Sequence, residues 1–194
     1  MDYPPGETSL LRAVGAALSN WSLVELQLSG LFCNLSRIEQ RQARAIFDGI
    51  ISFEVRLGIC DRLMAFQPVS ELEAEMWTRL SARLSKFYKK RHELAHFSVL
   101  HSDSGAVAIA PFLTSAAIGG KVRELSTDQI RERSGKFIEL HMAVHWFATR
   151  AFHGSSRPPA ESPDPQEPPL VPRLRDAASQ ILEAKKQQNT IPQG

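Results

Sequence analysis

The stretch WTRLSARLSKFYKKRHELAH, residues 77–96, reads as one amphipathic helix. Trp77, Leu80, Leu84, Phe87 and Leu94 recur by threes and fours, which places them on one apolar face. Arg91 falls on that same face, where a charge removed from water needs a partner. The helix closes on Arg91-His92-Glu93-Leu94-Ala95-His96, so its last turns concentrate cations and imidazoles. How this terminus is read decides the fold class and the chemistry together.

Working outward, the same alternation appears three more times. Residues 8–35 form a first helix with Thr8 or Ser9 as N-cap and a seam of Leu11, Val14, Leu18, Trp21, Glu25, Leu28 and Phe32. A second helix over 39–66 carries Ile46, Ile50, Phe53, Leu57, Cys60 and Met64. Pro68 then breaks the chain, and Ser70 is placed to cap the helix that ends at His96. Ser126 and Gln129 make a capping box for a last helix reaching about residue 152. Four long helices with apolar faces predict a four-helix bundle.

Between the third and fourth helices the period shortens. Residues 97–101 and 106–110 flank Ser102-Asp103-Ser104-Gly105, the pattern of a small β-hairpin, and 121–125 is a candidate third strand. Residues 154–172 are rich in proline and read as a linker. Residues 173–194 carry a C-terminal helix and tail, with Leu174, Ala177, Ile181 and Leu182 on one side. The expected organisation is a helical domain over 1–153, the linker, and this last helix.

Net charge is +2 over 194 residues, so any attraction for nucleic acid must be local rather than global. Hydrophobic and charged fractions of 43% and 23% are those of an ordinary globular domain. The two cysteines, Cys33 and Cys60, sit among apolar residues and read as buried thiols of a reducing compartment. No secretory signal and no run of ~18 apolar residues is visible. A cytoplasmic protein without a membrane partner is expected.

Two charges interrupt apolar seams, Glu25 on the first helix and Arg91 on the third. They are expected to pair or share a polar site, or else to form structural ion pairs. Trp21 and Glu25 on a first helix, an apolar second helix, and Arg91 with His96 late on a third resemble the HEPN superfamily. The hairpin and closing helix extend the likeness over about residues 8–152. His92 stands where that family more often has Asn or Asp. The resemblance implies metal-independent endoribonuclease activity of the toxin or defence class, with no cofactor, at a homodimer interface where both copies of Arg91 and His96 face one another. It also implies RNA as substrate and a cognate antitoxin or nucleotidyltransferase as a possible partner. Histidine as a class titrates near neutrality, so His96 is suited to move the 2′-hydroxyl or 5′-oxygen proton, with His92 assisting. Arg91 is suited to hold the phosphate. Arg79, Arg83, Lys86 and Lys90 lie along one face of the same helix, either as an RNA-backbone rail or as a solvated face. Members of that superfamily also serve as non-catalytic association or nucleotide-binding modules, which is the alternative.

A third possibility is the zinc pattern His92-Glu93-Leu94-Ala95-His96, with both histidines on one side of the helix and Glu93 polarising a water. Lys89, Lys90 and Arg91 precede it, a poor neighbourhood for a dication. Its third ligand would come from Glu132, Glu139, His141 or His145. His141 and His145 more simply read as hydrogen-bonded neutral histidines. His101 could approach the same helix end. Trp21, Trp77 and Trp146 read as core or dimer contacts.

Overall fold

The computed structural model describes residues 5–101, 107–111, 124–149 and 167–189. Among them are α1 (Pro5–Ser36), α2 (Gln40–Asp48), α3 (Phe53–Met64), α4 (Glu71–Ala95), β1 (Phe97–His101), β2 (Val107–Pro111), α5 (Thr127–Thr149) and α6 (Leu170–Asn189). The chain is mostly helical with a small antiparallel hairpin, as its periodicities predict. Its residues cluster into two compact units, Met1–Val24 with Lys86–His141, and Glu25–Ser85 with Met142–Gly194.

In the first unit α1 begins at Pro5, ahead of the expected Thr8 or Ser9 cap. Proline suits a first helical position, because its fixed φ is already helical and its missing N–H would have had no partner there. Trp21 is the hub of this core. It meets Phe137 edge-on with centroids 5.2 Å apart and lies 6.1 Å from the Tyr88 ring. Leu10, Val14, Ala17, Leu94, Ile130 and Leu140 are also buried. Complete burial of a side chain such as Phe137 contributes roughly 2–3 kcal/mol.

In the hairpin, Phe97 pairs with Pro111 and His101 with Val107. Ile109 and Leu125 exchange two backbone hydrogen bonds, 3.1 and 2.8 Å. Of the expected third strand, Leu125 therefore makes a one-residue bridge. Residues 121–123 and the Ser102-Asp103-Ser104-Gly105 turn lie outside the described residues. Ser126 and Gln129 form the expected reciprocal cap of α5.

The second unit corrects one expectation. The single helix predicted over 39–66 is two helices, α2 and α3, separated by Gly49-Ile50-Ile51-Ser52. Gly49 closes α2, and the Ser52 hydroxyl accepts the Val55 N–H as the N-cap of α3. Arg56 stabilises the break by donating from Nε to the Ile50 carbonyl at 2.6 Å and from Nη2 to the Asp48 carbonyl. The supposed seam divides accordingly. Ile46 is half exposed and Ile51 almost wholly so, while Ala43 and Phe47 form the buried stripe of α2.

Between α1 and α2, Arg37 adopts φ 56°, a left-handed conformation common just past a helix end. Gln67 satisfies the freed backbone there, donating to the carbonyls of Leu35 and Leu63. Ser70 caps α4 as expected, in a reciprocal pair with Glu73. Asp61 accepts from the Trp77 indole at 2.8 Å and from the Ser81 hydroxyl at 3.0 Å.

Helix α6 starts two residues before Pro172. Pro172 lies among the first four positions, whose N–H groups have no intrahelical partner. Leu170, Val171, Leu174 and Ala178 are buried, and Lys185 pairs with Glu75 of α4 at 3.2 Å.

Candidate functional site

The end of α4 gathers the chemistry of the first unit. His92 and His96 are one helical turn apart, so their side chains lie over one another. Their ring centroids are 4.5 Å apart, and both residues are exposed. Exposed Lys86 and Lys89 precede them, and Lys90 rests its ammonium over the Phe87 ring at 4.6 Å.

Glu93, between the two histidines in sequence, has another task. Arg133 of α5 donates to its carboxylate at 2.7 Å, and the Arg133 side chain is only 7% exposed. A buried guanidinium without that counter-charge would be strongly unfavourable. The pair therefore ties the last turn of α4 to α5. It also removes Glu93 from the water-polarising role that the zinc pattern would give it. Of the candidate third ligands, Glu139 is bonded to Lys136 and His145 to Gln27. Among the described residues no three His, Cys, Asp or Glu side chains are grouped to hold a metal ion.

Arg91 is half buried, and its Nε is enclosed without a hydrogen-bond partner. Residues five apart on a helix are offset by about 140°, so Arg91 and His96 do not share a stripe. What the fold brings together is His92 with His96. Glu25 has Arg56 of α3 as an ion-pair partner at 3.8 Å. Arg56 was not expected in any such role. It stands one turn after the α2–α3 break, a place visible only once the break is known.

Arg79 stands 3.4 Å from Glu75, an ion pair without hydrogen-bond geometry at Nε, and Arg83 is exposed. Arg79 and Arg83 belong to the second unit, Lys86 and Lys90 to the first. His101 meets Glu7 of α1 at 3.7 Å. His145 Nδ1 and Gln27 Oε1 share a hydrogen bond of 3.0 Å. Trp21 and Trp77 are core residues, and Trp146 is half buried.

Neither cysteine is an activated nucleophile. Burial, helped by the neighbouring Asp61 charge, pushes the Cys60 thiol up to about 12. Cys33, half buried rather than fully so, is also raised by burial. Both thiols are free. No described helix is long and apolar enough to cross a membrane.

No family model, curated protein or solved structure matches this chain.

Proposed function

We propose that the chain is a metal-independent endoribonuclease built on a four-helix arrangement of HEPN type and acting as a homodimer on RNA. The observation that carries this reading is the contact between His92 and His96 on an exposed, lysine-flanked helix end. Two adjacent imidazoles, with the Glu93 carboxylate committed to Arg133, divide the acid and base roles.

One imidazole takes the proton of a ribose 2′-hydroxyl. The 2′-oxygen attacks phosphorus, the bond from phosphorus to the 5′-oxygen breaks, and the other imidazolium protonates that leaving oxygen. The products are a 2′,3′-cyclic phosphate and a free 5′-hydroxyl. Arg91 stabilises the extra negative charge on five-coordinate phosphorus, and Lys86 and Lys90 attract the backbone.

The test is cleavage of single-stranded RNA in excess EDTA. Wild-type protein should leave 2′,3′-cyclic ends and spare a 2′-O-methyl substrate. His96→Ala should reduce cleavage by about 10²- to 10⁴-fold, with helical content unchanged by circular dichroism. Undiminished cleavage by His96→Ala overturns the assignment. The enclosed Nε of Arg91 favours the other reading, a non-catalytic HEPN association or nucleotide-binding module. Absence of any cleavage by the folded wild type would select it.

A further inference from the structure

A second feature of the first unit is independent of the histidine pair. Helices α1 and α5 border an open groove of about 680 Å³, within the range of small-molecule sites. Arg12 and Arg131 both line it, together with the hydroxyls of Thr8, Ser9 and Ser134. Among the described residues no acidic side chain lines it.

Its two guanidiniums are differently engaged. Arg131 donates to Asp128 at 3.0 Å and reaches Ser9 at 3.4 Å, so one arm is anchored and the other points to a groove hydroxyl. Arg12 is exposed and makes no hydrogen bond or ion pair among the described residues. Ser134 accepts from Asn20 at 2.8 Å, which leaves its own O–H to donate. The small side chains of Ala13 and Ala16 complete the described lining.

A groove in the second unit makes the contrast. At about 510 Å³ it is of similar size, yet Glu71 and Glu75 oppose Lys185 and Lys186 along it. There the charges cancel, and Lys185 is already bonded to Glu75. In the α1–α5 groove no described residue pairs with Arg12.

We infer that the α1–α5 groove binds the phosphate group of a small phosphorylated molecule between Arg12 and Arg131. Guanidinium forks match phosphate oxygens in a bidentate manner, and hydroxyl donors complete the shell. The groove exceeds the volume of a phosphate alone, so the carbon skeleton lies along the alanine-lined wall. A phosphate of a polynucleotide backbone has the same local chemistry, and the two sources are separable.

The experiment is calorimetric titration of the full chain with inorganic pyrophosphate at constant ionic strength. Saturable binding is expected. It should weaken about tenfold or more in Arg12→Gln, the loss typical of a charged hydrogen bond, and vanish in Arg12→Gln/Arg131→Gln. Lys185→Gln/Lys186→Gln, altering the other groove, should bind as wild type does. Absence of saturation, or unchanged affinity in the double arginine variant, overturns the site. In a second arm a 2′-O-methyl oligonucleotide competes with pyrophosphate. Failure to displace it upholds the small-molecule source, whereas displacement assigns the groove to the nucleic-acid backbone and overturns that source.

Discussion

The two compact units use polar side chains in opposite ways. In the second unit they hold backbone and core together: Arg56 satisfies carbonyls at the α2–α3 break, Gln67 closes the end of α1, and Asp61 binds Trp77 and Ser81. In the first unit several are left facing solvent, namely His92, His96, Lys86 and Arg12. Its main internal polar contact is Arg133 with Glu93, and Arg133 is the one buried charged residue among those described. Groups already committed to the fold have little left for a ligand. Chemistry is therefore to be sought in the first unit, and the second serves as its control.

The largest expected effect comes from cutting the internal pair of the first unit. Glu93→Ala leaves Arg133 buried without a counter-charge and should cost about 3 kcal/mol in urea unfolding. Glu93→Ala/Arg133→Met should recover much of that loss. If the single variant proves as stable as wild type, the pair does not anchor the end of α4.

The matching cut in the second unit is smaller. Asp61→Ala strands the indole N–H of Trp77, a residue 3% exposed, and should cost about 2 kcal/mol. RNA cleavage at a temperature well below the transition should be unchanged. A specific loss of activity there would blur the division between structural and chemical regions.

The last effect is confined to alkaline pH and builds up gradually, unit by unit. Cys60 is held neutral in the folded chain up to about 12, against an ordinary value of 9.0. A folded pKa raised above the unfolded one stabilises the fold below the unfolded value, and that stability is lost as pH rises toward the folded one. Between pH 9 and 12 this thiol should contribute a loss approaching about 1.4 kcal/mol per pH unit. Cys60→Ala should flatten that part of the alkaline profile, whereas Cys33→Ala should change it less. Equal slopes in all three proteins would mean that Cys60 ionises freely in the folded state.

Much of the fold was legible in sequence because caps and periodicity act over one or two turns. Ser70 and Ser126 were recognisable as caps, and the buried Trp77, Leu80, Leu84 and Leu94 of α4 follow from spacings of three and four; in α1 the expected Leu11 and Leu18 are half buried, and Leu10, Ala17 and Val24 stand in the core instead. The α2–α3 break was missed because Ile46, Ile50 and Phe53 keep a helical interval across it. Gly49 followed by two β-branched residues and a capping serine was the overlooked signal. At the candidate site, the His92–His96 juxtaposition follows from their i, i+4 spacing. The engagement of Glu93 could not be read locally, since its partner lies 40 residues away.

By itself the sequence determined the helical class, the hairpin, the starts of α4 and α5, and the presence of imidazoles and cations at one helix end. All of these depend on short-range backbone geometry. Only the tertiary structure decided which charge meets which: Glu25 with Arg56, Glu93 with Arg133, and Arg12 with nothing among the described residues. Electrostatic pairing depends on distances of a few ångströms between side chains far apart in the chain, and the packing of whole helices sets those distances.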